Sequence, residues 1–284
     1  MNVTGYTGVA LNQSPDSKNE IHGDRIAKVY GFKGGLVPGV TLSAYLTQPA
    51  VEAWGLDWLN MGRSHIAVRS PVYDRENFSV AITDQSEFQY TAELLNSSGR
   101  ICATAEVSLE QGAAIAPIRR GDGIAEAGYQ PPRASKDWFE QLKDLGCYAF
   151  RYQWQEDNRM SRYFEDVAHM PMLLRFPGEA AAGLKDNNRG NAKGFANMSF
   201  ILGCANWIFD SNAAMNPWVH LETRSKNYSA ISPGTSVIVE MQVLDEFSKK
   251  GHQFCDINVA VFDEQSGQCF SEVFQRAIYR LRGM

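Results

Sequence analysis

The sequence predicts an α+β chain in which one folding unit occurs twice, each copy an antiparallel sheet wrapped around a long central helix. Three observations predict it. The chain has 284 residues, about twice the size of one small domain. Two long stretches, 40–54 and 195–209, are apolar on most of their circumference, as expected of helices enclosed by other structure. Each is followed by segments of strand character whose last pair is joined by a Ser-Gly turn, where Gly supplies the positive φ of a tight hairpin.

The elements follow in order. A first strand is predicted over 3–11, then a polar loop, then the helix 40–54 carrying Leu42, Tyr45, Leu46 and Trp54. Pro49 lies inside that helix and predicts a bend there, because it lacks an amide donor and crowds the preceding turn. Strands are predicted over 64–73, 77–83, 88–95 and 101–109. A connection rich in Ala, Gly, Pro and charge covers 111–133, and Ser135 and Gly146 bracket a short helix, 136–145, as N-cap and C-terminal stop.

The second copy reads as a strand over 148–155, the helix 195–209 with Phe200, Ile201, Cys204, Trp207 and Ile208, and strands over 219–228, 236–244, 253–263 and 269–281. Arg69-Ser70-Pro71-Val72-Tyr73 has a counterpart 155 positions later in Arg224-Ser225-Lys226-Asn227-Tyr228, and the same offset pairs Gly39 with Gly194. A sheet curled around one apolar helix is the hotdog arrangement. The chain is therefore read as a tandem (double) hotdog with a first unit over 1–112, a linker and short helix over 113–146, and a second unit over 147–284. Edge-to-edge pairing of the units would hide a sheet edge and share a core.

Composition narrows the function classes. The chain is 44% hydrophobic and 21% charged with a net charge of -5, ordinary for a globular protein. Lys and Arg are scattered rather than gathered in a stripe, so nucleic acid is not an expected partner. The five cysteines are odd in number and never spaced as CxxC, which suggests neither a disulfide framework nor a zinc site, and no metal or cofactor is expected. No apolar run reaches bilayer length and the start of the chain lacks a signal-peptide pattern, so no membrane span and a cytoplasmic location are expected. A homodimer is left open.

The stretch richest in chemistry is Asn19-Glu20-Ile21-His22-Gly23-Asp24-Arg25-Ile26-Ala27, followed by Gly31-Phe32-Lys33-Gly34-Gly35-Leu36-Val37-Pro38-Gly39. Here the sequence resembles the MaoC-like family of (R)-specific enoyl-thioester hydratases and dehydratases, double hotdog type. That family's motif runs Asp-x-Asn-Pro-Ile/Leu-His-x-Asp, then Ala, then Gly-Phe-x-x-Pro-Ile-Val-His-Gly-Met. The resemblance implies an acyl-CoA or acyl-carrier-protein thioester as substrate, His22 as catalytic base or acid and Asn19 and Asp24 as the motif's other polar members. It implies Gly39 as the residue whose N–H polarises the thioester carbonyl, and Thr47 as a small polar residue further along the helix. The family's catalytic Asp stands five residues before the His, where this chain has Ser17; Asp16, one residue earlier, is the nearest acid, and with a one-residue bulge in the loop it is the expected catalytic partner of His22. Glu20 replaces the family's Pro, and Pro38 replaces its His.

Those residue types suit the chemistry. Hydration of an enoyl thioester needs a base that takes a proton from water and an acid that protonates the α-carbon, tasks a His and a carboxylate can share. Charge gathers on the thioester oxygen, where a backbone N–H at a helix N-terminus stabilises it most. A plainer reading stays open: His22 holds a backbone carbonyl and Asp24 caps a short helix over 25–30. His65, His169, His220 and His252 are isolated in the sequence and are read as structural or exposed. The second unit has no Asn-x-Ile-His segment, and its polar run 186–191 is read as a solvated loop from which Arg189, or nearby Lys193, could meet carrier phosphates. Non-catalytic binding of an acyl group or partner, and acyl-CoA thioester hydrolysis, are the competing functions on the same scaffold.

Overall fold

The computed structural model describes residues 2–112, 114–177 and 193–283. Ten antiparallel strands form one continuous sheet: β1 (Tyr6–Val9), β2 (Gly62–Val68), β3 (Asn77–Gln85), β4 (Gln89–Asn96), β5 (Ile101–Leu109), β6 (Phe150–Gln153), β7 (Val219–Asn227), β8 (Ser236–Lys249), β9 (His252–Asp263) and β10 (Cys269–Arg280). Their order across the sheet is β1-β3-β4-β5-β2-β7-β10-β9-β8-β6, two five-strand units joined at β2 and β7. The two sheets expected from the sequence are thus halves of one. At the seam Ser64 lies opposite Ser225, and their hydroxyls share a buried hydrogen bond of 2.7 Å.

Four α-helices accompany the sheet: α1 (Asp24–Val29), α2 (Gly39–Met61), α3 (Lys136–Leu145) and α4 (Met198–Asn212). α2 buries Leu42, Tyr45, Leu46 and Trp58 on the first half, and α4 buries Phe200, Leu202, Ile208 and Phe209 on the second. The all-round apolar character of both segments follows from this: sheet lies on one side and the partner helix or covering loops on the other. Burial of each such large side chain contributes roughly 1.5–3 kcal/mol, so the two helices organise a single shared core. Among the described residues no helix is long and apolar enough to cross a membrane.

The bend in α2 is not at Pro49. The non-helical residue is Gly55, with φ 57°, a left-handed conformation that glycine adopts without a Cβ penalty. Proline's missing amide leaves the carbonyl of Tyr45 without its helical donor; the hydroxyl of Tyr6 donates to that oxygen at 2.9 Å, and Tyr90 Oη donates to the next carbonyl, that of Leu46, at 2.8 Å. The helix therefore passes through Pro49 with its freed acceptor satisfied.

The repeat is real but its offset differs from the one read in the sequence. α2 begins at Gly39 and α4 at Met198, and the amides of Arg69 and Ser70 bond Cys102 O as those of Tyr228 and Ser229 bond Phe270 O. The Val37 amide bonds Val72 O as the Ala196 amide bonds Ile231 O. Apart from the acceptors Cys102 and Phe270, these pairs stand 159 positions apart, whereas Arg224 and Ser225 lie inside β7 and Gly194 precedes α4. The shared Arg-Ser-x-x-Tyr spacing is a coincidence of composition at positions the fold does not superimpose.

The short helix α3 is as expected, with Ser135 Oγ accepting from the Trp138 amide at 3.1 Å and Gly146 at φ 84°. The connection before it does more than cross the surface. Glu240 on β8 is fully buried, and its carboxylate accepts from the amides of Arg120 at 2.8 Å and Gly121 at 3.0 Å. The strap covers that part of the outer sheet face, which explains why Val237–Met241 are buried on both faces where a half-exposed strand would alternate.

Candidate active site

The motif segment forms a 3-10 turn, Glu20–His22, followed by α1, and it is fastened to the second half. Asn19 is buried, and its side-chain amide donates to Trp218 O at 3.0 Å while its oxygen accepts from the Trp218 amide at 3.1 Å. Glu20 and Asn216 make a second reciprocal pair, Glu20 N to Asn216 Oδ1 at 3.0 Å and Asn216 Nδ2 to Glu20 Oε2 at 2.9 Å. Asn19 therefore clamps the loop before β7 instead of facing a ligand with its amide, which has both polar atoms engaged.

His22 Nδ1 donates to the Leu36 carbonyl at 2.7 Å. A carbonyl only accepts, so the neutral ring carries its proton on Nδ1 and leaves Nε2 as a lone-pair acceptor. Burial pushes the His22 pKa below the ordinary value of 6.5, opposed by the Leu36 bond and reinforced by the positive charge of Arg159. The plainer reading of the sequence is thus half correct, and the bond it foresaw is what leaves the other nitrogen basic. Asp24 is not a helix cap: Gly23 occupies that position without a side-chain bond, and Asp24 Oδ1 accepts from the Gly35 amide at 2.8 Å. Gly35 must be glycine, since a Cβ there would stand 2.0 Å from His22 O.

His22 lines two adjoining cavities. One, of about 180 Å³, is mainly apolar, walled by Phe32, Leu36, Leu42 and Val219, and reaches Gly39. The other, of about 300 Å³, is polar and includes Asp16, Lys18, Arg159 and Asp210. Asn19, His22, Asn206 and Trp218 border both. Gly39 opens α2, and among the described residues its amide has no hydrogen-bond partner, as the first turn of a helix dictates. Asp16 sits exposed in a turn on the polar cavity, with no hydrogen bond or ion pair to it among the described residues. Thr47 is elsewhere: its hydroxyl bonds Ser43 O at 2.9 Å on its own helix and borders a separate void of about 10 Å³. Among the described residues no three His, Cys, Asp or Glu side chains converge as a metal-binding group.

The second half supplies residues that the sequence reading passed over. His220, read there as structural or exposed, is buried with its ring against Gly39, where a Cβ would come within 3.1 Å of it. Its Nδ1 faces Asn206 Oδ1 at 3.4 Å and its Nε2 meets the Thr223 hydroxyl. Burial and repulsion from His22 depress its pKa to about 4, so both rings are neutral near pH 7. Deeper still, Gln275 pairs in register with Thr223 and is fully buried, with both amide atoms unpartnered among the described residues. The only sequence signal for this set was polar residues in otherwise core-facing segments: Asn206 in α4, Thr223 in β7 and Gln275 between Val273 and Ala277. Arg189 and the run 186–191 lie outside the described residues, and among the described residues Lys193 makes no bond to the candidate site.

No family model matches the chain, and no curated protein matches it. Solved structures do. A MaoC-like dehydratase superimposes with a TM-score of 0.54 at 11% identity, covering 98% of each chain. A conserved Mycobacterium tuberculosis protein described as having a double hotdog fold gives a TM-score of 0.52 at 10% identity over 98% of this chain and 96% of that one. The chain is a double hotdog. The tesB protein of Mycobacterium avium subsp. paratuberculosis is similar too, with a TM-score of 0.51 at 10% identity over 99% of this chain and 94% of that one. At such identities the likeness establishes the double hotdog fold and leaves chemistry to the site.

Proposed function

We propose that this double hotdog adds water to, or removes it from, an acyl thioester of the 2-enoyl and 3-hydroxyacyl type carried by coenzyme A or a carrier protein. The observation that carries the reading is the His22 Nδ1–Leu36 O bond, which leaves a basic Nε2 on a cavity that also reaches the Gly39 amide. In the hydration direction, Nε2 takes one proton from water as the water oxygen bonds the β-carbon. The displaced electron pair gathers on the thioester oxygen, held by the Gly39 N–H. The α-carbon then takes the proton that the imidazolium now holds, directly or relayed through the Asp16 carboxylate, and the net change is H and OH across the double bond. Asn19 and Asp24 position this machinery through Trp218 and Gly35.

A second reading, hydrolysis of the thioester, is favoured by one observation: Asp16 is exposed and bonded to nothing among the described residues. Hydrolysis needs one base to activate water and one donor at the carbonyl, and the second acid is dispensable. The experiment that tests both is a panel of enoyl-, 3-hydroxyacyl- and saturated acyl-CoA thioesters. Loss or gain of the conjugated thioester absorbance reports hydration chemistry, and release of free thiol reports hydrolysis. His22→Ala is expected to abolish the first; full hydratase activity in that variant refutes the assignment, and thermal stabilisation by ligand without turnover in the wild type would make this a binding protein.

A further inference from the structure

The polar cavity carries a cation that makes no ion pair among the described residues. Arg159 lies on its rim, with its guanidinium 5.5 Å from the centre of the Trp207 ring. Among the described residues it has no carboxylate partner; on the same cavity burial raises the pKa of the Asp210 carboxyl and the charge of Lys18 lowers it in opposition, and Asp16 is likewise unpaired. The loop that carries Arg159 is held from both helices. Asn197, the N-cap of α4, donates to Met160 O at 2.9 Å and Ser161 O at 3.2 Å. Gln13 donates to Arg162 O, and its own oxygen takes the hydroxyls of Thr41 on α2 and Ser199 on α4. The loop backbone is thus held in place, and the guanidinium, exposed at the cavity rim, beside the Trp207 ring and without a carboxylate partner among the described residues, is free to receive an anion.

The anion belongs to the substrate, because His22 lines the same cavity. We infer that Arg159 binds a carboxylate on the acyl group, so that the preferred substrates are thioesters of dicarboxylic acids. The alternative source is a carrier phosphate. The pantetheine arm, with two amide units and their spacers, separates that phosphate from the thioester, and a guanidinium sharing one cavity with His22 sits too close to the reacting carbonyl for it. A carboxylate at the far end of a short acyl chain is the anion that can reach Arg159 from a thioester held beside His22, in the cavity the two residues share. This inference rests on the acyl-thioester reading.

The test uses stable thioether analogues of succinyl- and butyryl-coenzyme A, which share every carrier group and differ in a terminal carboxylate against a methyl. Calorimetric titration of the wild type is expected to show the succinyl analogue binding about tenfold or more tighter. Arg159→Gln is expected to remove that preference with butyryl binding unchanged, and Arg159→Lys to retain part of it. Equal loss for both analogues would assign Arg159 to the carrier phosphates and overturn the inference, as would unaltered binding of both. Failure of both analogues to bind the wild type would sink the acyl-thioester reading itself. An unliganded melting temperature like that of the wild type shows that the variants fold.

Discussion

Two imidazoles meet at the amino end of α2, and their environments fix what each can do. His22 keeps Nε2 unprotonated because Leu36 O holds the proton at Nδ1 and because burial lowers its pKa. If it is the base, the acid limb of the kcat/KM profile falls below the ordinary histidine value of 6.5, and His22→Gln removes about 10²–10⁴-fold of the rate with little change in melting temperature. A limb at or above 6.5 would contradict this. His220 bears on stability instead. Its folded pKa of about 4 lies below the ordinary 6.5, so the unfolded chain takes up its proton first as pH falls. Stability from this group is fully present above 6.5 and is lost down to about 4, a cost of about 3 kcal/mol. Urea unfolding of wild type and His220→Gln across that interval checks it: the variant is expected to start less stable and to lose less on acidification.

The elements show which parts of the site a sequence can reveal. Asn19, His22, Asp24 and Gly39 could be placed near one another, as the candidate site has them, because a local segment carries them on a loop and a helix start, and local segments keep their spacing when they fold. Roles were less legible than places: Asn19 and Asp24 spend their polar atoms on Trp218 and Gly35. Asn19→Ala would leave the buried amide and carbonyl of Trp218 without partners, an expected loss of about 1–3 kcal/mol in urea titration, with KM raised because the His22 turn loosens. Gly39→Ala puts a methyl 3.1 Å from the His220 ring, and either the ring or the helix start must give. Activity is expected to fall more than melting temperature does. Wild-type kcat/KM in Gly39→Ala would count against that helix terminus as the carbonyl site. The bend misplaced at Pro49 has the same lesson, since the hydroxyl that rescues the helix comes from Tyr6 on another strand, beyond the reach of local pattern.

At the scale of the whole molecule, the alternation and hairpin turns made the repeated unit legible, and what stayed hidden depends on how the units meet. His220, Asn206 and Trp218 carry no motif; they line the candidate site's cavities because β7 pairs with β2 and α4 lies beside α2. His65 on β2 bonds Glu222 on β7 at 2.9 Å, and Asn227 donates to Trp58 O of α2 at 3.2 Å, so the seam is stitched on both faces of the sheet. A half produced alone would expose the edge of β2 or β7 and a share of the common core. The two halves are therefore expected to unfold as one: differential scanning calorimetry should give a single transition with matching calorimetric and van't Hoff enthalpies, and acyl-thioester ligands should shift it as a unit. Two resolved transitions, with a ligand moving only the first, would mean that the first half holds the site without the second. Then the contributions of Asn206, Trp218 and His220 to it would be incidental.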